Sequence, residues 1–148
     1  MAALRRATVT WEGDLASGAG RVSAVSSAAF VSLPVTWASR SEQPDGRTSP
    51  EELLAAAHAS CFSMALSGSL ARAGNPPQRL EVTSQVTFDQ IDGNWTVVSS
   101  KLTVHGRVQG LDAEQFAAAA EQAKASCPIS RALAGNVALT VEAVLDLP

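Results

Sequence analysis

The stretch from Ser49 to Pro77, SPEELLAAAHASCFSMALSGSLARAGNPP, constrains this chain more than any other. Ser49 is placed to cap a helix, and Glu52 completes an S-x-x-E capping box. Pro50 suits the first helical position, where its missing N–H would lack a partner anyway. Alanine and leucine carry the helix to about Ala73, and Gly74 with the following Asn-Pro-Pro stops it. The longest apolar stretch within it, Leu53 to Leu66, is interrupted by His58 and two serines. That falls short of the roughly 18–20 residues a membrane span needs, so no membrane association is expected.

Strands are expected on both sides of this helix. Residues 7–11 alternate, with Ala7, Val9 and Trp11 on one face and Thr8 and Thr10 on the other, as in a half-buried strand. EGDLASGAG reads as a turn, and RVSAVS and AFVSLPVTWAS as further strands, Pro34 marking an edge or a bulge. Residues 40–48 are polar and carry Pro and Gly, so a loop is expected there.

After the helix, Leu80, Val82, Val86 and Phe88 alternate on one side of a strand, and Asp92-Gly93-Asn94 signals a hairpin. The next strand changes phase between Val97 and Leu102, as a bulge near Ser99 and Ser100 produces. Asp112 opens a second helix with a D-x-x-Q box. Pro128 biases Cys127 away from helical geometry, which predicts a break and a short third helix from Cys127 to Gly135. VALTVEAVL closes the chain as a strand. The order βββ-α-ββ-αα-β fits an antiparallel α+β architecture, a single domain over residues 1–148, better than a doubly wound α/β fold.

Hydrophobic residues at 46% and charged ones at 17% describe a globular chain long enough to bury a core. With 11 Lys and Arg against 14 Asp and Glu, and no clustered basic stripe, nucleic acid is not an expected partner. The amino terminus, MAALRRATVTWEGD, lacks the apolar region of a secretory signal. A reducing, cytoplasmic compartment is therefore expected, in which disulfides tend to be transient and catalytic; this weakens the reading of a structural disulfide without removing it.

Within that setting the two cysteines carry most of the chemistry. Cys127 falls at a helix start, where orphan N–H groups favour the thiolate. Cys61 lies mid-helix, and burial raises a thiol pKa, so reactivity there requires a nearby cation. Cys61 can equally be inert packing or half of a static disulfide. His58, Cys61 and Cys127 are conceivable zinc ligands, but no CxxC or HExxH pattern supports a metal site, and His58 also fits a hydrogen-bonded core position. GAGRVS lacks the third glycine of a dinucleotide loop. Among the few charges nearby, Glu51 reads as a solvated first-turn acid, and Arg40 and Arg47 as surface residues bracketing the loop.

SPEELLAAAHASCFSMAL, followed about sixty residues later by KASCPISRAL, resembles the osmotically inducible protein C and organic hydroperoxide resistance family. TWEGDLASGAGRVS is closer to the osmotically inducible branch. The resemblance implies an OsmC-like fold in an intertwined homodimer with helices between sheets. It implies a peroxiredoxin-like thiol peroxidase of the bacterial cytoplasm that reduces organic hydroperoxides without flavin, haem or metal cofactor. Its reductant would be an external dithiol of lipoyl or thioredoxin type. Cys61 then matches the peroxidatic cysteine, Cys127 the resolving one and Glu51 the acid at the helix start. Arg40, after the third strand, matches the active-site arginine, with Arg21 the alternative. The rival reading is a non-catalytic protein of the same fold that binds an apolar ligand.

Overall fold

In the computed structural model, which describes residues 1–147, the first three strands make a sheet of their own. β1 (Ala7–Glu12) pairs antiparallel with β2 (Ala19–Ala24), and β3 (Leu33–Val35) adds to the far side of β2. Asp14 holds the first turn, its Oδ1 accepting from the Ser17 amide at 2.7 Å and the Ser17 hydroxyl at 2.8 Å. Both faces of β1 are exposed, Val9 and Trp11 included, so the alternation there does not mark a face packed into a core.

β3 is shorter than the alternation suggests. The chain leaves it for a helix, α1 (Trp37–Ser41), where strand and then loop were expected. Thr36 and Ser39 explain the change: each side chain accepts from the other's amide, a complete capping box packed into five residues. The chain order is thus βββ-αα-ββ-αα-β, one helix more than the sequence indicates. These elements lie in the first of two compact units, Met1–Leu53; the second begins at Leu54.

The long helix, α2, runs Pro50–Arg72. Its cap forms by half: Ser49 Oγ accepts from the Glu52 amide at 3.1 Å, but the Glu52 carboxylate accepts from the Thr48 hydroxyl at 2.8 Å instead of returning to Ser49. At the other end, Gly74 takes a left-handed φ of +87°. Its amide reaches the Ala71 carbonyl while that of Asn75 reaches Leu70, a Schellman stop. At 23 residues, with a mean hydropathy of 1.4 over an 18-residue window, α2 is long and apolar enough to cross a membrane by length and composition. The shorter stretch from Leu53 to Leu66 understated it. The same composition also serves a core, and Phe62, Leu66 and Leu70 of α2 are buried.

The second sheet forms around β4 (Arg79–Ile91) and β5 (Asn94–Arg107), antiparallel through Asp92 and Gly93, both with φ > 0 as a type I′ turn requires. The ladder slips where Thr87 faces Ser99 and Phe88 faces Val97. The extra residue is therefore Val98, one position before the expected bulge. α3 (Ala113–Ser126), capped by the Asp112–Gln115 box, and α4 (Pro128–Leu133) then carry the chain to β6 (Ala138–Leu145). β6 pairs parallel with β5, the one departure from antiparallel pairing among the named strands, and the helical crossover makes it possible. The core joins Phe62 and Leu66 to Leu102 and Val104 of β5 and to Phe116 and Ala120 of α3. Phe116 lies so close over Gly106 that a Cβ there would sit 2.3 Å from its ring.

Candidate functional site

α3 cannot run on through Pro128. Cys127, with ψ of 124°, ends α3 and begins α4, as the X-Pro rule predicts. Cys127 is fully buried in the core cluster, the partly exposed Cys61 of α2 packs against that cluster, and both cysteines are free. Their acidities diverge. Burial pushes the Cys127 thiol up, but the Ser130 amide, the Cys61 thiol, the Ser130 hydroxyl and the Ile129 amide outweigh it, and the balance is a lowered pKa. Burial pushes the Cys61 thiol up too; the Ile129 amide offsets only part, and Cys127 raises it further. Within this unit Cys127 is the more acidic sulfur.

One turn before Cys61, His58 is fully buried. Its Nδ1 lies 2.6 Å from the Ser100 hydroxyl and its Nε2 2.8 Å from that of Ser130, while Ser84 approaches Ser100 at 2.9 Å. Burial lowers the His58 pKa, so the ring is neutral at neutral pH. Serines occupy both ring nitrogens, which turns His58 away from joining the cysteines around a zinc ion. It is the hydrogen-bonded core histidine of the two readings. The serines themselves were not singled out from sequence, yet one carried a signal. Ser100 shares the parity of Leu102 and Val104, the inward face of β5, where a polar residue needs a buried partner.

In the first unit, α1 presents Arg40 to Glu51 in the first turn of α2. Arg40 Nε donates to both carboxylate oxygens at 3.1 Å, and Nη2 donates to Oε1 at 2.8 Å. The Glu51 side chain is 8% exposed and that of Arg40 31%, so neither is the solvated surface group expected from the residues alone. The guanidinium also lies 5.9 Å from the centre of the Trp37 ring. Arg21 instead extends along the exposed sheet to the Ser32 carbonyl, and Arg47 pairs loosely with Asp45 at 3.5 Å. Beside Arg40 opens a cavity of about 310 Å³, walled by Val9, Trp11, Val22, Trp37 and Leu53. Arg40 is its charged lining residue.

Fold and site together define a class: an α+β protein carrying two free cysteines at one core cluster in one unit and a carboxylate-held arginine beside an apolar cavity in the other. The chain belongs to the OsmC-like protein family, whose family model matches residues 43–142. It is 40% identical over 129 residues to peroxiredoxin OsmC of Escherichia coli (strain K12), covering 87% of this chain and 89% of that protein. It is 32% identical over 114 residues to organic hydroperoxide resistance protein OhrA of Bacillus subtilis (strain 168), covering 76% and 77%. The crystal structure of OhrB of Bacillus subtilis matches with a TM-score of 0.74 at 26% identity, over 94% of this chain and 98% of that one.

Proposed function

We propose that this chain is a thiol-dependent peroxidase that reduces organic hydroperoxides to alcohols. The observation that carries the reading is the pair of free thiols, Cys127 in the buried core cluster and Cys61 packed against that cluster, each influencing the other's acidity. The names of the relatives, a peroxiredoxin and organic hydroperoxide resistance proteins, support the same reaction class.

The Cys61 thiolate attacks the terminal oxygen of the hydroperoxide. The O–O bond breaks, the alkoxide leaves and takes a proton to become the alcohol, and Cys61 becomes a sulfenic acid. Cys127 then attacks the Cys61 sulfur. The S–S bond forms, the S–O bond breaks, and hydroxide leaves as water after protonation. An external dithiol, of lipoyl or thioredoxin type, supplies the two electrons that restore both thiols by exchange. The steps use no cofactor.

A thiol held as high as Cys61 needs a cation before it ionises at neutral pH. Arg40, oriented by Glu51, is that cation in this proposal. Glu51 and Cys61 stand ten residues apart on α2, about 15 Å of helix axis at ~1.5 Å per residue. A second copy of the chain with α2 packed antiparallel sets the first turn of one helix beside the middle of the other, so each protomer's Arg40–Glu51 pair serves the partner's cysteine. The exposed strip of Ala56, Ala57, Ser60 and Met64 on α2 supports such packing.

Single-turnover peroxide consumption by two variants tests the assignment. Cys61→Ser should consume none. Cys127→Ser should consume about one peroxide per chain and stall as a sulfenic acid open to over-oxidation. Full turnover in Cys61→Ser would overturn the assignment.

A further inference from the structure

Gly20 stands inside β2, where a glycine weakens a strand unless a neighbour uses the space it leaves. Trp11 on β1 and Val35 on β3 both pair with Gly20, so the three form one row across the first sheet. Cross-strand partners share a face, and on this one Trp11 and Val35 line the cavity together with Val9 and Val22. Gly20 is buried at the centre of the row. A Cβ there would sit 2.9 Å from Trp11 Cε3 and 2.9 Å from Val35 Cγ1, closer than packed atoms approach. A Cβ on Gly18 would sit 3.0 Å from Trp11 Nε1, and that nitrogen donates to the Gly13 carbonyl at 3.0 Å. The indole therefore lies across both glycines and is tied at its far end. Although 41% exposed, Trp11 is a fixed wall.

We propose that Gly20 is a positioning residue for Trp11: its missing side chain lets the indole lie down on β2, and that placement sets how wide the cavity opens for the organic tail of a substrate. The proposal rests on the peroxidase reading above, in which the cavity receives that tail. The ring is held at Gly13 and Gly18, so it cannot slide along the sheet to make room. A methyl group at position 20 lifts it into the space the cavity occupies. Close-packed contacts register a change of this size, one methyl group, because the flanking side chains have nowhere to yield.

Two measurements test it, and neither uses peroxide, so their failure is separate from failure of the peroxidase reading. The first is binding of 2-phenyl-2-propanol, the alcohol that cumene hydroperoxide leaves behind. It is followed by NMR through the indole N–H of Trp37, which lines the same cavity and is present in every variant. Gly20→Ala should weaken binding about tenfold, the scale of one overpacked contact. In a Trp11→Ala background the same change should cost far less, because the ring it displaces is gone. No binding to the unaltered protein, unchanged affinity in a folded Gly20→Ala, or equal losses in both backgrounds overturns the proposal. The second measurement needs no variant that might fail to fold. In the unaltered protein the Trp11 Hε3 proton should cross-relax with the Gly20 α-protons; absence of that cross-peak from the assigned spectrum overturns the proposal.

Discussion

Arg40 and Glu51 meet through two guanidinium nitrogens, and the bond is made between a helix of five residues and the first turn of one of 23. The pair therefore ties α1 to the start of α2. Glu51→Gln removes the charge and one accepting oxygen, and should cost about 1–3 kcal/mol, as for hydrogen bonds to charged groups. Urea denaturation at neutral pH reads this loss. Arg40→Lys should not substitute, because an ammonium cannot reproduce the forked geometry.

The shared-site arrangement predicts complementation. Mixing a Cys61→Ser chain with a Glu51→Ala chain should regain peroxidase activity that neither parent has, because one site in each heterodimer keeps both groups. Heterodimers that form and remain no more active than their parents would place Arg40, Glu51 and Cys61 of one chain in one site.

Burial of His58 predicts a pH dependence of stability. Its folded pKa lies below the ordinary 6.5, so beneath that pH the unfolded chain takes up a proton that the folded chain refuses. Unfolding is then favoured by acid: this contribution is complete above about pH 6.5 and is lost as pH falls toward the folded value. Urea midpoints should drop between about pH 7.5 and about pH 5.5 more steeply for the unaltered chain than for His58→Gln. Equal slopes would show that His58 is not held neutral.

The cavity beside Arg40 predicts a substrate preference. Its apolar wall offers contact to an organic tail and nothing equivalent to hydrogen peroxide, and each buried methylene is worth roughly 0.8 kcal/mol. kcat/KM for cumene hydroperoxide should exceed that for hydrogen peroxide by well over tenfold. Trp11→Ala should narrow the ratio by reducing the cumene hydroperoxide value alone.

Much of this was legible in the residues because the signals were local. Pro128 breaks the helix at Cys127, Asp112 and Gln115 cap α3, and Asp92-Gly93 turns the hairpin, each through chemistry confined to a few neighbours. Where the outcome depended on distant partners, sequence fell short. Trp37–Ser41 is a local exception: it reads as strand and loop because the Thr36–Ser39 box carries Ser where Glu or Gln is usual. Glu51 looked solvated because its partner sits eleven residues earlier, and Glu52 turned to Thr48 rather than closing its box. The serines around His58 lie 42 and 72 residues away, beyond any periodicity. Parallel pairing of β6 with β5 follows from the path of α3 and α4, which no strand pattern records.

The most direct test of the peroxidase reading is the fate of the two thiols of the unaltered, reduced protein after about one equivalent of cumene hydroperoxide. Both should disappear in one rapid phase, with the intact mass falling by two hydrogens as Cys61 and Cys127 join, and a dithiol should restore both. Thiols that persist, or that are lost no faster than those of the unfolded chain, would contradict it.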